Sequence, residues 1–323
     1  MTATPKPFNK LFFSEALEYF ASYKGKTTSA QHIKPFHWAI ACRLVIEGGF
    51  DPEWITPHPP FIAKPSRKRG ASWKLEFDSN AATGVERTIL GGLKTKNVDV
   101  VVTSPELGPI LAVSCKGVTK AFRNLTNRLE ETIGECTNLH ITYPALVMGY
   151  YALIRGNRTQ AQADAAPSDP DAVHDREAGD DFSLEASEEP KKSKKENRND
   201  LAFTGDGDCE VSDNIVRFHD ALSRMTNRKD LRDEISRYEA MAMTIVEVEA
   251  PAGRIYPAFP TPESALNSKH FFHTLYKRYD ERFVLAAASI PHLKRKCWEP
   301  SDVIDMFEKD ARFWGEYLPR VTS

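Results

Sequence analysis

The chain has 323 residues, 41% of them hydrophobic and 27% charged, with 43 basic against 45 acidic side chains and a formal net charge of −2. That is enough apolar material for one large domain or two smaller ones. It contains neither a run of eighteen apolar residues nor a basic-then-apolar leader, which excludes the membrane-spanning and secreted classes and sets a cytoplasmic expectation.

Residues 8–24, with Phe8, Leu11, Phe12, Phe13, Ala16, Leu17, Tyr19 and Phe20, have the spacing of an amphipathic helix with a broad apolar face. A second helix is expected from about Pro35 to Glu47, stopping at Gly48-Gly49. His32 and His37 lie five apart in its approach, a poor spacing for metal ligands, and are expected at the surface. Lys24-Gly25-Lys26-Thr27 is half of a phosphate-binding loop, but the first glycine of that pattern would fall at Phe20, inside a helix, which rules it out. Residues 56–70 form a proline-rich connection closing on Lys64-Pro65-Ser66-Arg67-Lys68-Arg69-Gly70. Phosphate contacts need mobile cations at a groove edge, so Arg67, Lys68 and Arg69 are candidates for a DNA backbone; a plain solvated loop is the alternative. Ser72-Trp-Lys-Leu-Glu-Phe77 follows directly, and residues 81–93 are expected to be helical.

The stretch from Asn97 to Arg155 organises the rest. Asn97 to Thr103 and Ile110 to Gly117 are rich in β-branched residues and separated by Pro105-Glu-Leu-Gly-Pro109, the pattern of a strand hairpin. Ala121 to Cys136 has Leu125, Leu129, Ile133 and Cys136 at helical spacing. Ala145 to Ile154 is an apolar run suited to a strand buried on both faces. From Gln160 to about Asp208 the composition turns to Asp, Glu, Ala, Ser and Pro, followed by Lys191-Lys-Ser-Lys-Lys195, without periodicity, and is expected to be disordered. Residues 161–211 carry fifteen acids and six bases, a net of −9, so the whole-chain −2 leaves +7 on the remainder, a balance that fits a polyanionic partner. The lysine run offsets the acids before it. Helices are expected at Asn214 to Met225 and Lys229 to Tyr238, then a strand at Met243 to Glu249 that extends the same sheet. Beyond Pro262, helices are expected at Ser264 to Arg282 and Pro300 to Tyr317, with Phe271, Phe272, Tyr276, Tyr279, Phe307, Phe313 and Trp314 as core aromatics. Five widely spaced cysteines (Cys42, Cys115, Cys136, Cys209 and Cys297), with no Cys-x-x-Cys pair, fit a reducing compartment and argue against a zinc site or disulfide frame.

The hydrophobic pattern around the hairpin accounts for everything except Asp99, Ser114, Lys116 and Glu130. Ser114 and Lys116, two apart on a strand, share a face, with Cys115 opposite. A four-residue loop from Glu106 to Pro109 sets Asp99 opposite Lys116, and a five-residue loop sets it opposite Cys115; the first is chosen because it places a carboxylate beside the ammonium. If Leu129, Ile133 and Cys136 face the sheet, Glu130 lies roughly 100° from Leu129, at the stripe's edge, while Glu131 at about 200° and Glu135 at about 240° turn towards solvent. Carboxylates suit a hard cation that keeps several waters, the cation acidifies a bound water, and a lysine can orient that water and stabilise the developing charge. Lys116 has a plainer reading as an edge-strand gatekeeper, and Ser114 as a small packing residue.

Asp99 followed by Ser114-Cys-Lys116, inside helix–strand–hairpin–helix–strand, resembles the PD-(D/E)XK nuclease superfamily, which includes many type II restriction endonucleases. The usual motif has an acid where Ser114 stands; one branch similarly has Ser-x-Lys and takes its acid from the following helix, at a spacing that Glu130 matches. No proline precedes Asp99. The resemblance implies an α/β fold with a mixed sheet flanked by helices, Mg²⁺ held by Asp99 and Glu130, and Lys116 as the residue that orients water. It implies a further acid at Glu86 on a first helix, duplex DNA as substrate, Arg123 beside the basic cluster as a DNA contact, and a homodimer, since one such site cuts one strand. The organisation expected is an N-terminal helical region (1–70), a core (71–159 and 212–250), a disordered acidic insertion (160–211) and a C-terminal helical region (251–323). A repair or phage-defence nuclease, or a non-catalytic DNA-binding subunit with the same fold, are the alternatives.

Overall fold

The computed structural model describes residues 12–25, 30–66, 72–84, 86–120, 122, 125–167, 198–204, 210–314 and 318–322. In chain order the elements are α1 (Phe13–Ser22), α2 (Lys34–Ile46), β1 (Ile55–Thr56), β2 (Phe61–Pro65), β3 (Ser72–Phe77), β4 (Arg87–Leu90), β5 (Thr95–Val98), β6 (Val100–Ser104), β7 (Gly108–Val118), α3 (Leu125–Thr142), β8 (Val147–Gly156) and α4 (Gln160–Ala165). There follow β9 (Phe203–Thr204), β10 (Glu210–Val211), α5 (Asp213–Arg224), β11 (Ala240–Glu247), α6 (Ser268–Tyr279), β12 (Cys297–Trp298) and α7 (Asp302–Trp314). The fold is mixed α/β. A five-stranded sheet of order β1-β6-β7-β8-β11 has β1, β6 and β7 antiparallel and β7, β8 and β11 parallel. Among the described residues, no helix is long and apolar enough to cross a membrane.

Strand alternation sorts the core into two layers. Val100, Val102, Leu111, Val113, Tyr151 and Leu153 point to the side of α1, α2 and α6, whereas Val101, Ala112, Met148, Tyr150, Met241 and Met243 point to the side of α3 and α5. β8 is buried along all ten residues, as its unbroken apolar run requires. α2 is apolar almost all round, and such a helix must be covered on every side. The sheet covers one side, and C-terminal groups hold the other: Trp298 Nε1 donates to the Val45 carbonyl at 2.8 Å and the Arg320 N–H to the Ile46 carbonyl at 3.0 Å. This enclosure overturns the surface expectation for two histidines, because His32 and His37 are 6% and 2% exposed. Phe271, Phe272, Tyr276, Tyr279 and Phe307 are core residues; the side chains of Phe313 and Trp314 lie outside the described residues.

Three other expectations are corrected. Residues 81–93 do not form a helix: β4 pairs with β5 in a separate hairpin turning at Gly91-Gly92. A side chain at either glycine would collide with α3, since a Cβ would come within 2.1 Å of Asn138 Nδ2 at Gly91 and 2.2 Å of Ile141 Cγ2 at Gly92. Residues 229–238 are turns, in which the Asp233 carboxylate accepts from the N–H groups of Lys229 and Asp230. The flanks of the acidic stretch are ordered too: α4 opens with a Thr159–Gln162 capping box, and Ala163, Ala202 and Phe203 are buried. Residues 168–197 and 205–209 lie outside the described residues. β11 does extend the sheet beside β8.

Candidate active site

Asp99 occupies a bend between β5 and β6 rather than a strand interior. β1 pairs with β6 only at Val101 and Val102, so the start of β6 is left open. Asp99 Oδ2 accepts the Cys115 N–H at 2.7 Å, and Oδ1 lies 3.7 Å from His37 Nε2. Burial raises the Asp99 pKa, against the opposing effects of the Cys115 N–H and of the Lys116 and Lys96 ammonium groups.

The hairpin register differs from both loops considered from the sequence. The turn spans 105–107, with Ser104 opposite Gly108, and Gly108 adopts a φ of +75° that favours glycine. Ser104 Oγ accepts from the N–H groups of Glu106 and Leu107, fixing that turn. A bulge between Val102 and Thr103 absorbs one residue, so that Val100 pairs with Val113. One step further places Asp99 across from Ser114, not from Lys116. Alternation breaks at this bend, since Val98 and Val100 belong to opposite layers, and the Asp99 carboxylate lies between the Cys115 N–H and His37. Ser114 and Lys116 share one face of β7. Cys115 points the other way, into the layer of α1 and α2.

Helix α3 is rotated about its axis by roughly 60° from the phase that its apolar residues imply. Leu125, Thr132, Cys136 and Leu139 are buried, whereas Ile133 is 40% exposed. The cause is what covers the flank. Asn138 is pinned by the β4–β5 turn, accepting from the Leu93 and Lys94 N–H groups at 2.8 and 3.1 Å and donating to the Lys94 carbonyl at 2.9 Å. As a result Glu130 faces solvent, away from the strands. Glu135, expected on the outside, is 4% exposed and accepts a hydrogen bond from Ser114 Oγ. Glu131 reaches Lys116, with Oε1 3.2 Å from Nζ.

Lys96, on β5, completes the group: its Nζ lies 3.4 Å from Glu131 Oε1 and 3.2 Å from Glu135 Oε2. Burial acts to depress the Lys116 pKa, but Glu135, Glu131 and Asp99 outweigh it and hold the value above that of an ordinary lysine. Lys116 is therefore an ammonium at neutral pH, a donor and not a base. Glu86 precedes β4 and is not on a helix; its charge is felt at His37. Burial pushes the His37 imidazole down to about 3, so the ring is neutral. Arg67, Lys68, Arg69 and Arg123 lie outside the described residues.

The structure thus brings Asp99, Ser114 and Lys116 together, leaves Glu130 out, and adds His37, Lys96, Glu131 and Glu135. Among the described residues, the His37, Asp99 and Cys115 ligand atoms form one group lying within 4.8 Å of one another. No family model, curated protein or solved structure matches this chain. Three carboxylates (Asp99, Glu131, Glu135) face two ammonium groups (Lys96, Lys116), a formal excess of one negative charge beside an open strand end. Its oxygen donors are of the type that suits a hard cation.

Proposed function

We propose that this chain is a Mg²⁺-dependent endonuclease hydrolysing phosphodiester bonds in duplex DNA, a type II restriction enzyme of the PD-(D/E)XK kind, acting as a homodimer in the cytoplasm. The observation that carries this reading is the acid–lysine cluster assembled by β5, β7 and α3, in which a protonated Lys116 lies 3.2 Å from Glu131 on the face of β7 that carries Ser114, close enough for the Asp99 charge to act on it. The strand order supports it as well: an antiparallel hairpin, a helix crossover, then a parallel strand, with the polar residues at one end.

In this reading Asp99 and Glu135 hold the cation. Ser114 stands where the superfamily places an acid, and its hydroxyl orients the Glu135 carboxylate that α3 supplies instead. Bound Mg²⁺ supplies an acidified water and neutralises charge on the phosphate. Lys116 donates to the attacking water or to the phosphoryl oxygens and stabilises charge that grows in the transition state. Lys96 balances Glu131 and Glu135 before substrate arrives.

The test is cleavage of plasmid DNA in Mg²⁺ by the wild type, Asp99→Ala and Lys116→Ala. Both variants should lose on the order of 10²-fold or more in rate, while Lys116→Ala still binds duplex DNA in Ca²⁺, because the carboxylates remain. Full cleavage by both variants, or binding by the wild type with no cleavage of any duplex tried, would remove the catalytic assignment.

A further inference from the structure

The other face of Asp99 carries a second donor set, quite unlike the first. His37 comes from α2, Asp99 from the β5–β6 bend and Cys115 from β7, so three separate segments converge on one point. His37 is 2% exposed, and its Nε2 finds no hydrogen-bond partner among the described residues. A buried ring nitrogen without a partner is costly and calls for an explanation. Asp99 Oδ1 lies 3.7 Å away, beyond hydrogen-bond length. Two oxygen or nitrogen ligands, each about 2.0 Å from a tetrahedral ion, are about 3.3 Å apart. The His37–Asp99 separation therefore needs only a small contraction, and all three ligand atoms already lie within 4.8 Å of one another.

We propose that His37 Nε2, Asp99 Oδ1 and Cys115 Sγ form a binding site for a borderline divalent transition-metal ion of the Zn²⁺ type. Nitrogen and sulfur donors select such an ion over Mg²⁺, which demands oxygen and keeps its waters. Asp99 is held for the task, because its other oxygen is fixed by the Cys115 N–H at 2.7 Å. Asp99 is also the way in: its side chain is 16% exposed, whereas that of His37 is 3% exposed. The negative charge of Glu86 also acts on His37 and favours a cation there. Binding releases the Cys115 thiol proton to solvent, and the resulting thiolate and the Asp99 carboxylate neutralise the ion. Three protein ligands leave a fourth position for water. The site shares Asp99 with the proposed nuclease centre, but it does not depend on DNA cleavage.

Co²⁺ is the probe, added to the full chain after treatment with a chelator and in the absence of DNA, so the result is independent of nuclease activity. The wild type should take up one equivalent with a thiolate-to-cobalt charge-transfer band, which Zn²⁺ abolishes by displacement. X-ray absorption of the cobalt complex should show one sulfur with nitrogen and oxygen neighbours. Cys115→Ser should lose the band, and His37→Gln should weaken uptake about 10-fold or more, with far-UV circular dichroism reporting that each is folded. Absence of uptake by the wild type, a cobalt environment without sulfur, or a band that survives in Cys115→Ser would each overturn the assignment. The wild-type X-ray measurement decides the matter even where a buried variant fails to fold.

Discussion

Glu130 and Glu135 stand on one helix, yet only Glu135 meets the strands, through Ser114 Oγ and Lys96 Nζ. Removing the Glu135 charge while keeping an acceptor for Ser114 isolates its part in the proposed cleavage. Glu135→Gln should lower single-turnover cleavage by on the order of 10²–10³-fold, whereas Glu130→Ala, on the exposed side, should cleave like the wild type. A dead Glu130→Ala beside an active Glu135→Gln would mean that the helix presents a different face when DNA is bound. Glu131 is intermediate: it is half exposed and shared between Lys96 and Lys116. An exposed pair of that kind contributes little to stability, so its role lies in placing Lys116.

Among the elements, α3 is anchored at its C-terminal end by a polar core that the site does not use. Glu239, just before β11, accepts from Arg228 at 3.0 Å and from the Met148 N–H at 2.6 Å, and Arg282 Nη2 lies 2.7 Å from it. His140, from α3, is hydrogen-bonded to the Ile235 carbonyl at 2.9 Å and lies 3.3 Å from Arg228 Nη1. Burial holds the His140 pKa below the ordinary histidine value, in spite of Glu239. A lowered folded pKa means that the unfolded chain takes up the proton first. This contribution is complete above the ordinary value of about 6.5 and is lost as pH falls below it, by at most roughly 1.4 kcal/mol per pH unit. Urea unfolding should accordingly show stability falling from neutral pH to about pH 5.5 more steeply in the wild type than in His140→Gln, which is itself weaker at neutral pH by about 1–3 kcal/mol. Equal slopes in the two proteins would show that His140 does not carry this titration.

At the scale of the whole molecule, the acidic stretch leaves the body and returns to it in an ordered way. Phe203 is buried, stacks edge-on with Tyr256 at 4.9 Å and lies under the Arg158 guanidinium at 4.1 Å. Arg158 in turn pairs with Glu247 at the end of β11. These contacts tie the far side of the insertion to the sheet edge. Phe203→Ala should therefore cost about 3 kcal/mol, read as a lowered denaturant midpoint with an unchanged slope. A neutral result would mean that the returning chain is not part of the packed body. The same contacts set the limits of any deletion: a cut from Ala163 to Asn199 removes buried Ala163 and Ala166 and would itself cost stability.

What the sequence determined by itself is local in origin. β-branched runs between Pro and Gly specified the hairpin, a 3.6-residue period specified α1, α3 and α5 but misled at residues 81–93 and 229–238, and an unbroken apolar run specified β8, because each depends on neighbours a few residues away. Period two likewise put Ser114 and Lys116 on one face whatever the register. Tertiary structure decided the rest. Periodicity states which residues share a face but not what covers it, and a polar residue is buried only where another segment supplies its partner. Residues 93–94 supply one for Asn138, and Ser114 with Lys96 for Glu135. Those distant contacts turned α3 away from its apolar stripe. In the same way the bulge at Val102 set Val100 against Val113 at the edge of the Asp99 bend, and the enclosure of α2 carried His37 to within 3.7 Å of the Asp99 carboxylate.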